Sequence, residues 1–303
     1  MNIAHRIKKI TSNGLFHREN VGWLFVAPAL IVLILVLAYP IAHVIKLSFY
    51  KVNLDFSLDF VGIDNFIKAL NDKWFFNSIA NSFVYTIACV LITQTIGLLI
   101  SLALNSSNFR FKKLFHMIFL IPWTLSFVVV GTVWKWIFNG SFGAINAILI
   151  NLNLISENIT FFSDVKRAMP SVIFVNVWRD IPFSMVMFYA GLQQVSQDQV
   201  EAAKVDGANP LQVFLHVTAP SLRSVFLVTS SLLTIWNFRQ FDLTQILTTG
   251  GGPNHRTELI SNLIYKTSFI FYEFGYGAAI SVLMLIIITA MTLVYMKFLG
   301  DND

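Results

Sequence analysis

The sequence predicts an all-α fold that crosses a membrane several times, and three observations carry that prediction. Hydrophobic residues make up 56% of the 303 and charged residues only 12%, against roughly 25% charged in an ordinary soluble domain. Mean hydropathy is +0.68. Four stretches, 20–45, 74–109, 114–134 and 274–296, contain no Asp, Glu, Lys or Arg. About 20 helical residues at ~1.5 Å rise cross the ~30 Å hydrocarbon layer, where a helix satisfies its own backbone.

Taken in order, the first span is predicted over 22–49. Its basic leader (Arg6, Lys8, Lys9, Arg18) resembles that of a signal peptide, but the apolar run from Trp23 to Tyr39 is too long for one. It also contains Pro28 and lacks a clear small-residue cleavage site before Pro40. The second and third spans cover 78–104 and 113–138, between the breakers Asn105-Ser106-Ser107 and Asn139-Gly140-Ser141. Two further apolar runs are interrupted by charge. Residues 169–194 contain Arg179 and Asp180, and 222–248 contain Arg239 and Asp242. The sixth span is 276–299, which leaves a tail of 1–21, a membrane domain of 22–299 and a tail of 300–303.

Lys and Arg near helix ends orient the bundle. The N-terminal tail is basic, and the second loop carries Arg110, Lys112 and Lys113 with no acid. Both termini are therefore expected in the cytoplasm. The net charge of +5 is explained by these topology signals, and no aromatic-interleaved basic stretch points to nucleic acid. One cysteine, Cys89, rules out an intrachain disulfide and a cysteine metal cluster.

The fourth loop, 196–221, has more structure than a connector requires. Ser196 and Gln199 have capping-box spacing, Gly207 suits a helix end, and Asn209-Pro210 suits the start of another helix. Two short helices meeting at a glycine would make a compact knob at the cytoplasmic face. An amphipathic linker lying among headgroups is the other physical reading.

At this loop the chain resembles a known family. Glu201-Ala202-Ala203, Asp206-Gly207-Ala208, Val217 and Pro220 resemble the EAA signature of ATP-binding-cassette importer permeases, with Val217 and Ala219 standing where Ile and Leu are usual. The segment Leu247 to Pro253, reading LTTGGGP and followed by Thr257-Glu258, resembles a motif of sugar-importer permeases with one residue more. The resemblance implies a type I importer permease fold in the cytoplasmic membrane of a prokaryote. It also implies a second homologous permease, two ATPase subunits that bind ATP and Mg, and an extracytoplasmic substrate-binding protein. The loop is then implied to be the coupling element, through Glu201, Ala202, Ala203, Asp206, Gly207, Ala208 and Pro220.

The chemistry of the residues fits that implication. No Gly-Lys dipeptide exists, so no phosphate-binding GxxxxGK[ST] loop is present, and no metal-ligand motif occurs among the six histidines. This chain is expected to be a transport subunit without a cofactor, not an enzyme. A neutral sugar or polyol needs amides and aromatic faces, which Asn176, Trp178, Trp236, Asn237, Gln240 and Phe241 supply on two spans. On a continuous fifth span, Trp236 and Gln240 would share one face while Asn237 and Phe241 share the next. Ionisable groups in a span cost ~2.5–3.5 kcal/mol each, so they pair or face a cavity. Arg179, Asp180, Arg239 and Asp242 are expected to form a buried network. Asp180 and Arg239 lie at depths of about 21 and 26 Å, a height match that predicts an ion pair between them. Two rivals remain: an ion-coupled secondary carrier using Asp180 and Asp242, and a membrane scaffold.

Overall fold

The computed structural model describes residues 18–53, 55, 57–105 and 112–300. Most of the expected tails, 1–17 and 301–303, and Arg110 of the basic second loop lie outside the described residues. Residues 18–21 open the first helix, and Gly300 ends the last.

Four helices are long and apolar enough to cross a membrane: α1 (Phe25–Leu47), α3 (Lys73–Asn105), α7 (Ala168–Leu192) and the Phe274–Phe298 part of the last helix. Two bent pairs also qualify. Leu114–Thr124 and Phe127–Ile137 meet at 94°, and Pro210–Ser221 and Arg223–Phe238 meet at 64°. Counting each bent pair as one crossing gives the expected six, with the Pro210–Ser221 arm of the second pair turned away into the fourth loop. In chain order the remaining elements are β1 (Tyr50–Val52), β2 (Leu58–Phe60), α2 (Asp64–Asn71), α4 (Lys112–Thr124), α5 (Phe127–Ile137) and α6 (Ala144–Asn151). They are followed by α8 (Gln197–Val205), α9 (Pro210–Ser221), α10 (Arg223–Phe238), α11 (Asp242–Thr248), α12 (Ile260–Tyr265) and α13 (Phe274–Gly300).

The breaks have local causes. Pro122 near the end of α4 loosens the ladder, and Ser126 then caps α5, its hydroxyl accepting from Val129 N at 3.4 Å. The fifth span departs from the expected single helix over 222–248. It stops at Phe238 and restarts at Asp242. The freed N–H groups of Phe241 and Asp242 donate to Gln240 Oε1 at 2.8 and 3.2 Å, so one amide replaces the carbonyls of the missing turn.

The bundle is built on α3 and α7, which meet where small residues allow close approach. A Cβ on Gly97 of α3 would lie 2.7 Å from Ser184 Cβ of α7, and Gly191 of α7 lets the start of α10 approach likewise, where a Cβ would lie 2.8 Å from Leu222 Cδ2. Gln94 ties three spans in the same layer. Its Nε2 donates to Ser230 Oγ at 2.7 Å, and its Oε1 accepts from Ser184 Oγ at 3.2 Å. One apolar core joins Tyr85, Val130, Phe138, Val172, Val175 and Leu243, and a second joins Phe75, Phe238, Ile260, Tyr276 and Ile280. By contrast, α1 has no buried residue, which leaves its apolar surface to lipid or another chain.

At one end, β1 and β2 pair antiparallel with Lys51 opposite Asp59, a hairpin that hydropathy alone did not predict. Asn65 Nδ2 holds it by donating to Ser48 O and Tyr50 O, both at 3.0 Å. Nearby, Tyr276 Oη donates to Asp72 Oδ2 at 2.7 Å, joining the hairpin region to α13.

Candidate functional site

A cavity of about 370 Å³ opens between the break in the fourth-loop-distal span and the break after α4. It is lined by Trp123, Phe127, Asn176, Arg179, Asp180, Trp236, Asn237, Arg239, Gln240 and Asp242. Eight of the ten side chains expected to carry polar chemistry thus meet at one place. The other two do not. Trp178 is two residues from Asn176, about 200° around α7, and packs with Trp134 at a ring separation of 5.3 Å. Phe241 turns away at the break to pack with Tyr265 at 5.1 Å.

The break also corrects the expected division of faces. Because α10 ends at Phe238, Gln240 is freed from helical register, and Trp236, Asn237, Arg239 and Gln240 all reach the same cavity. Their amides form a chain. Asn176 Nδ2 donates to Asn237 Oδ1 at 2.7 Å and to Asp180 Oδ2 at 3.2 Å, while Asn237 Nδ2 donates to Leu233 O at 2.8 Å. Gln240 Nε2 lies 3.4 Å from Asn176 Oδ1. Asn176, Asn237 and Gln240 are buried, and this mutual bonding fixes their orientation before anything binds.

The expected Asp180–Arg239 ion pair is absent. Arg179 Nη1 instead donates to Asp180 Oδ1 at 2.8 Å, with side-chain exposures of 14% and 6%. The guanidinium of Arg179 also lies 3.8 Å over the Phe127 ring. Arg239 and Asp242 are exposed to the cavity rather than buried in a network. A neighbouring charge satisfies Asp180 at no cost in reach, whereas Arg239 sits beyond the end of its helix and follows the chain outwards.

Trp123 and Phe127 were not singled out from sequence. Pro122 followed by the capping residue Ser126 was the available signal, because a broken span exposes the side chains on either side of the break. Trp123, Phe183 and Trp236 then form an aromatic run, with ring separations of 5.7 and 4.8 Å.

The knob is formed as the capping residues predict. Ser196 Oγ accepts from Gln199 N at 3.5 Å at the start of α8. At its end Gly207 has φ +84°, Gly207 N donates to Lys204 O at 3.1 Å, and Ala208 N donates to Ala203 O at 3.0 Å. That is the glycine-terminated double bond of a Schellman cap. Asn209 and Gln212 then cap α9 reciprocally, at 2.8 and 2.9 Å. No residue of α8 is buried. Val205 and Leu211 are 87% and 64% exposed, and a hollow of about 360 Å³ is lined by Ala203, Asp206, Gly207, Ala208, Gln212, His216 and Val217. Glu201, Ala202 and Pro220 lie outside that lining.

A structure of this kind has relatives. Residues 95–299 match the model of the binding-protein-dependent transport system inner membrane components. The chain belongs to that family. This permease is 30% identical over 282 residues to the sulfoquinovosyl glycerol transport system permease protein of Agrobacterium fabrum, covering 92% of this chain and 90% of the relative. It is also 30% identical over 289 residues to the trehalose/maltose transport system permease protein of Thermococcus litoralis, covering 95% and 96%. Its fold matches a chain of a bacterial alginate ABC transporter crystallised with an alginate pentasaccharide-bound periplasmic protein, with a TM-score of 0.78 at 18% identity and coverage of 92% and 93%. These relatives are transport components rather than enzymes. Among the permease's described residues, no group of three or more His, Cys, Asp or Glu is placed to hold a metal ion.

The LTTGGGP segment of the permease forms a compact turn after α11. Thr249, Gly250 and Gly252 have φ of 54°, 72° and 61°, and the hydroxyls of Thr248 and Thr257 meet at 2.7 Å across it. Glu258 is 1% exposed and accepts from Lys266 Nζ at 2.8 Å, with His255 on its other oxygen. Asn81 Nδ2 donates to His255 O at 2.8 Å and Glu258 O at 3.1 Å, fastening the turn to α3. The motif is therefore a turn braced against α3, and none of Leu247–Pro253 lines the cavity.

Proposed function

We propose that this permease subunit carries a sugar or related polyol across the cytoplasmic membrane by alternating access. The observation that carries the reading is the cavity at the broken spans, where preorganised amides and three aromatic side chains stand together. Hydroxyl-rich ligands are recognised by such groups, the amides exchanging hydrogen bonds and the rings covering the apolar face of a pyranose. Discontinuous helices around a polar cavity are also the usual place for substrate in membrane carriers. Both relatives described above are named for glycosides or sugars, in keeping with this chemistry.

Energy comes from partners. In this reading two ATPase subunits bind ATP and Mg and receive the 196–221 knob through Glu201, Ala202, Ala203, Asp206, Gly207, Ala208 and Pro220. A second homologous permease completes the pathway, and an extracytoplasmic binding protein delivers the sugar. The bundle is embedded in lipid, with 1–21 and 300–303 in the cytoplasm. An ion-coupled carrier fits less well, since both oxygens of Asp180 are already engaged by Arg179 and Asn176 and the exposed knob would have no task.

Asn237→Leu tests the cavity. It removes the acceptor of Asn176 and one amide from the lining, so sugar uptake into vesicles holding the complete importer and internal ATP should fall about tenfold or more. Uptake at the wild-type rate, with the complex intact, would dismiss the cavity as the route. Topology is tested separately by replacing Cys89 and placing single cysteines at the exposed positions Asp198, Ser163 and Asn254. A membrane-impermeant thiol reagent applied to intact cells should label 163 and 254 but spare 198, and the opposite pattern would invert the orientation.

A further inference from the structure

Four charged side chains line the cavity, and they cancel: Arg179 and Arg239 against Asp180 and Asp242. The other lining residues are Trp123, Phe127, Asn176, Trp236, Asn237 and Gln240, all uncharged. The first pair is closed on itself at 2.8 Å and largely buried. The second is different, because no salt bridge joins Arg239 to Asp242 although they are three residues apart and both are exposed. The break at Gln240 separates them, leaving a cation and a carboxylate without an ion-pair partner among the described residues, both facing the same space.

We infer that Asp242 makes this cavity a charge filter that admits uncharged saccharides and disfavours acidic ones. The inference rests on the saccharide reading above and adds the substrate's charge class to it. Beside the aromatic rings of Trp123, Phe127 and Trp236 charge is screened less than in bulk water, so a ligand bringing a net charge is disfavoured unless the lining balances it. This permease's share of the lining offers no surplus of either sign. A carboxylate or sulfonate drawn to Arg239 shares the cavity with Asp242, which repels it. A neutral sugar meets no such penalty, and can donate hydroxyls to Asp242 while accepting from Arg239.

Removing one member of the free pair should then change the selectivity in a chosen direction. Asp242→Asn leaves Arg239 unbalanced and should favour acids, and Arg239→Gln leaves Asp242 unbalanced and should favour amines. Neither residue packs in the core, so neither change is expected to disturb folding.

The test uses the complete importer in lipid nanodiscs without its binding protein, which would impose a selectivity of its own. Saturation-transfer NMR would measure affinity for maltose, cellobiose and lactose, for the same disaccharides with one hydroxymethyl oxidised to a carboxylate, and for chitosan disaccharide. Wild type should bind at least one neutral sugar about tenfold more tightly than its acidic counterpart, and Asp242→Asn should reduce or reverse that ratio by about tenfold, the span of one charged hydrogen bond. An acidic preference in wild type, or an unchanged ratio in Asp242→Asn while neutral binding is lost in Trp236→Ala, would overturn the charge filter and leave the saccharide cavity standing. Failure of every probe to bind, together with wild-type uptake by Asn237→Leu, would overturn the cavity reading and the filter with it.

Discussion

Gly207→Val is expected to abolish ATP-driven uptake while leaving the transmembrane helices inserted. Gly207 holds φ at +84°, a conformation that costs an L-residue about 1–2 kcal/mol, and more for a branched side chain. Beyond its two chain neighbours, a Cβ there would meet no atom of the described residues within 4 Å. The harm therefore lies in the backbone, not in a collision inside the permease. Valine drives φ negative, the bonds from Gly207 and Ala208 to Lys204 and Ala203 are lost, and α8 no longer holds its angle to α9. Uptake, co-purification of the ATPase and ATP hydrolysis stimulated by loaded binding protein should all fall. Wild-type values in all three would remove the knob from the coupling path.

Arg179→Met should destabilise the permease by about 3–5 kcal/mol, because it strands the buried carboxylate of Asp180. Asp180→Leu should cost a similar amount by stranding Arg179, which already stacks on Phe127. The double variant Arg179→Met/Asp180→Leu should cost much less than the sum. Arg239→Gln, at an exposed position, should change stability by less than about 1 kcal/mol. Thermal unfolding of the purified complex measures all four. Additive losses for Arg179 and Asp180, or a loss for Arg239→Gln as large as that for Arg179→Met, would show that the pairing is wrong.

The difference between those two pairings shows where sequence reasoning reached its limit. Hydropathy marked four spans that are continuous helices and two that are bent or broken, and it put Asp180 and Arg239 at similar depths, because rise per residue is nearly constant along a helix. It could not show that α10 stops at Phe238, since an apolar run of more than twenty residues reads as one helix across a three-residue break. Once the helix ends, depth no longer determines direction, and Arg239 turns to the cavity while Arg179 takes Asp180. The same break explains why Gln240 joined Asn237 on one face and why Phe241 left it. Trp123 and Phe127 were hidden by the corresponding bend in the third span, although Pro122 and Ser126 marked it. The knob was legible because capping is local chemistry: Ser196, Gly207 and Asn209 need only their near neighbours to define it. The β1–β2 hairpin was not, as its hold on Asn65 and α13 depends on contacts distant in sequence.

The central claim is that substrate passes through the cavity of this chain during ATP-driven transport. A photo-reactive amino acid in place of Trp236 tests it most directly. The complete importer in vesicles would be given internal ATP and the radiolabelled saccharide recovered from its binding protein, and illuminated during turnover. Covalent label should appear on this permease, depend on ATP, and disappear when excess unlabelled saccharide is added. Label confined to the second permease, or unchanged without ATP and with competitor, would contradict the account.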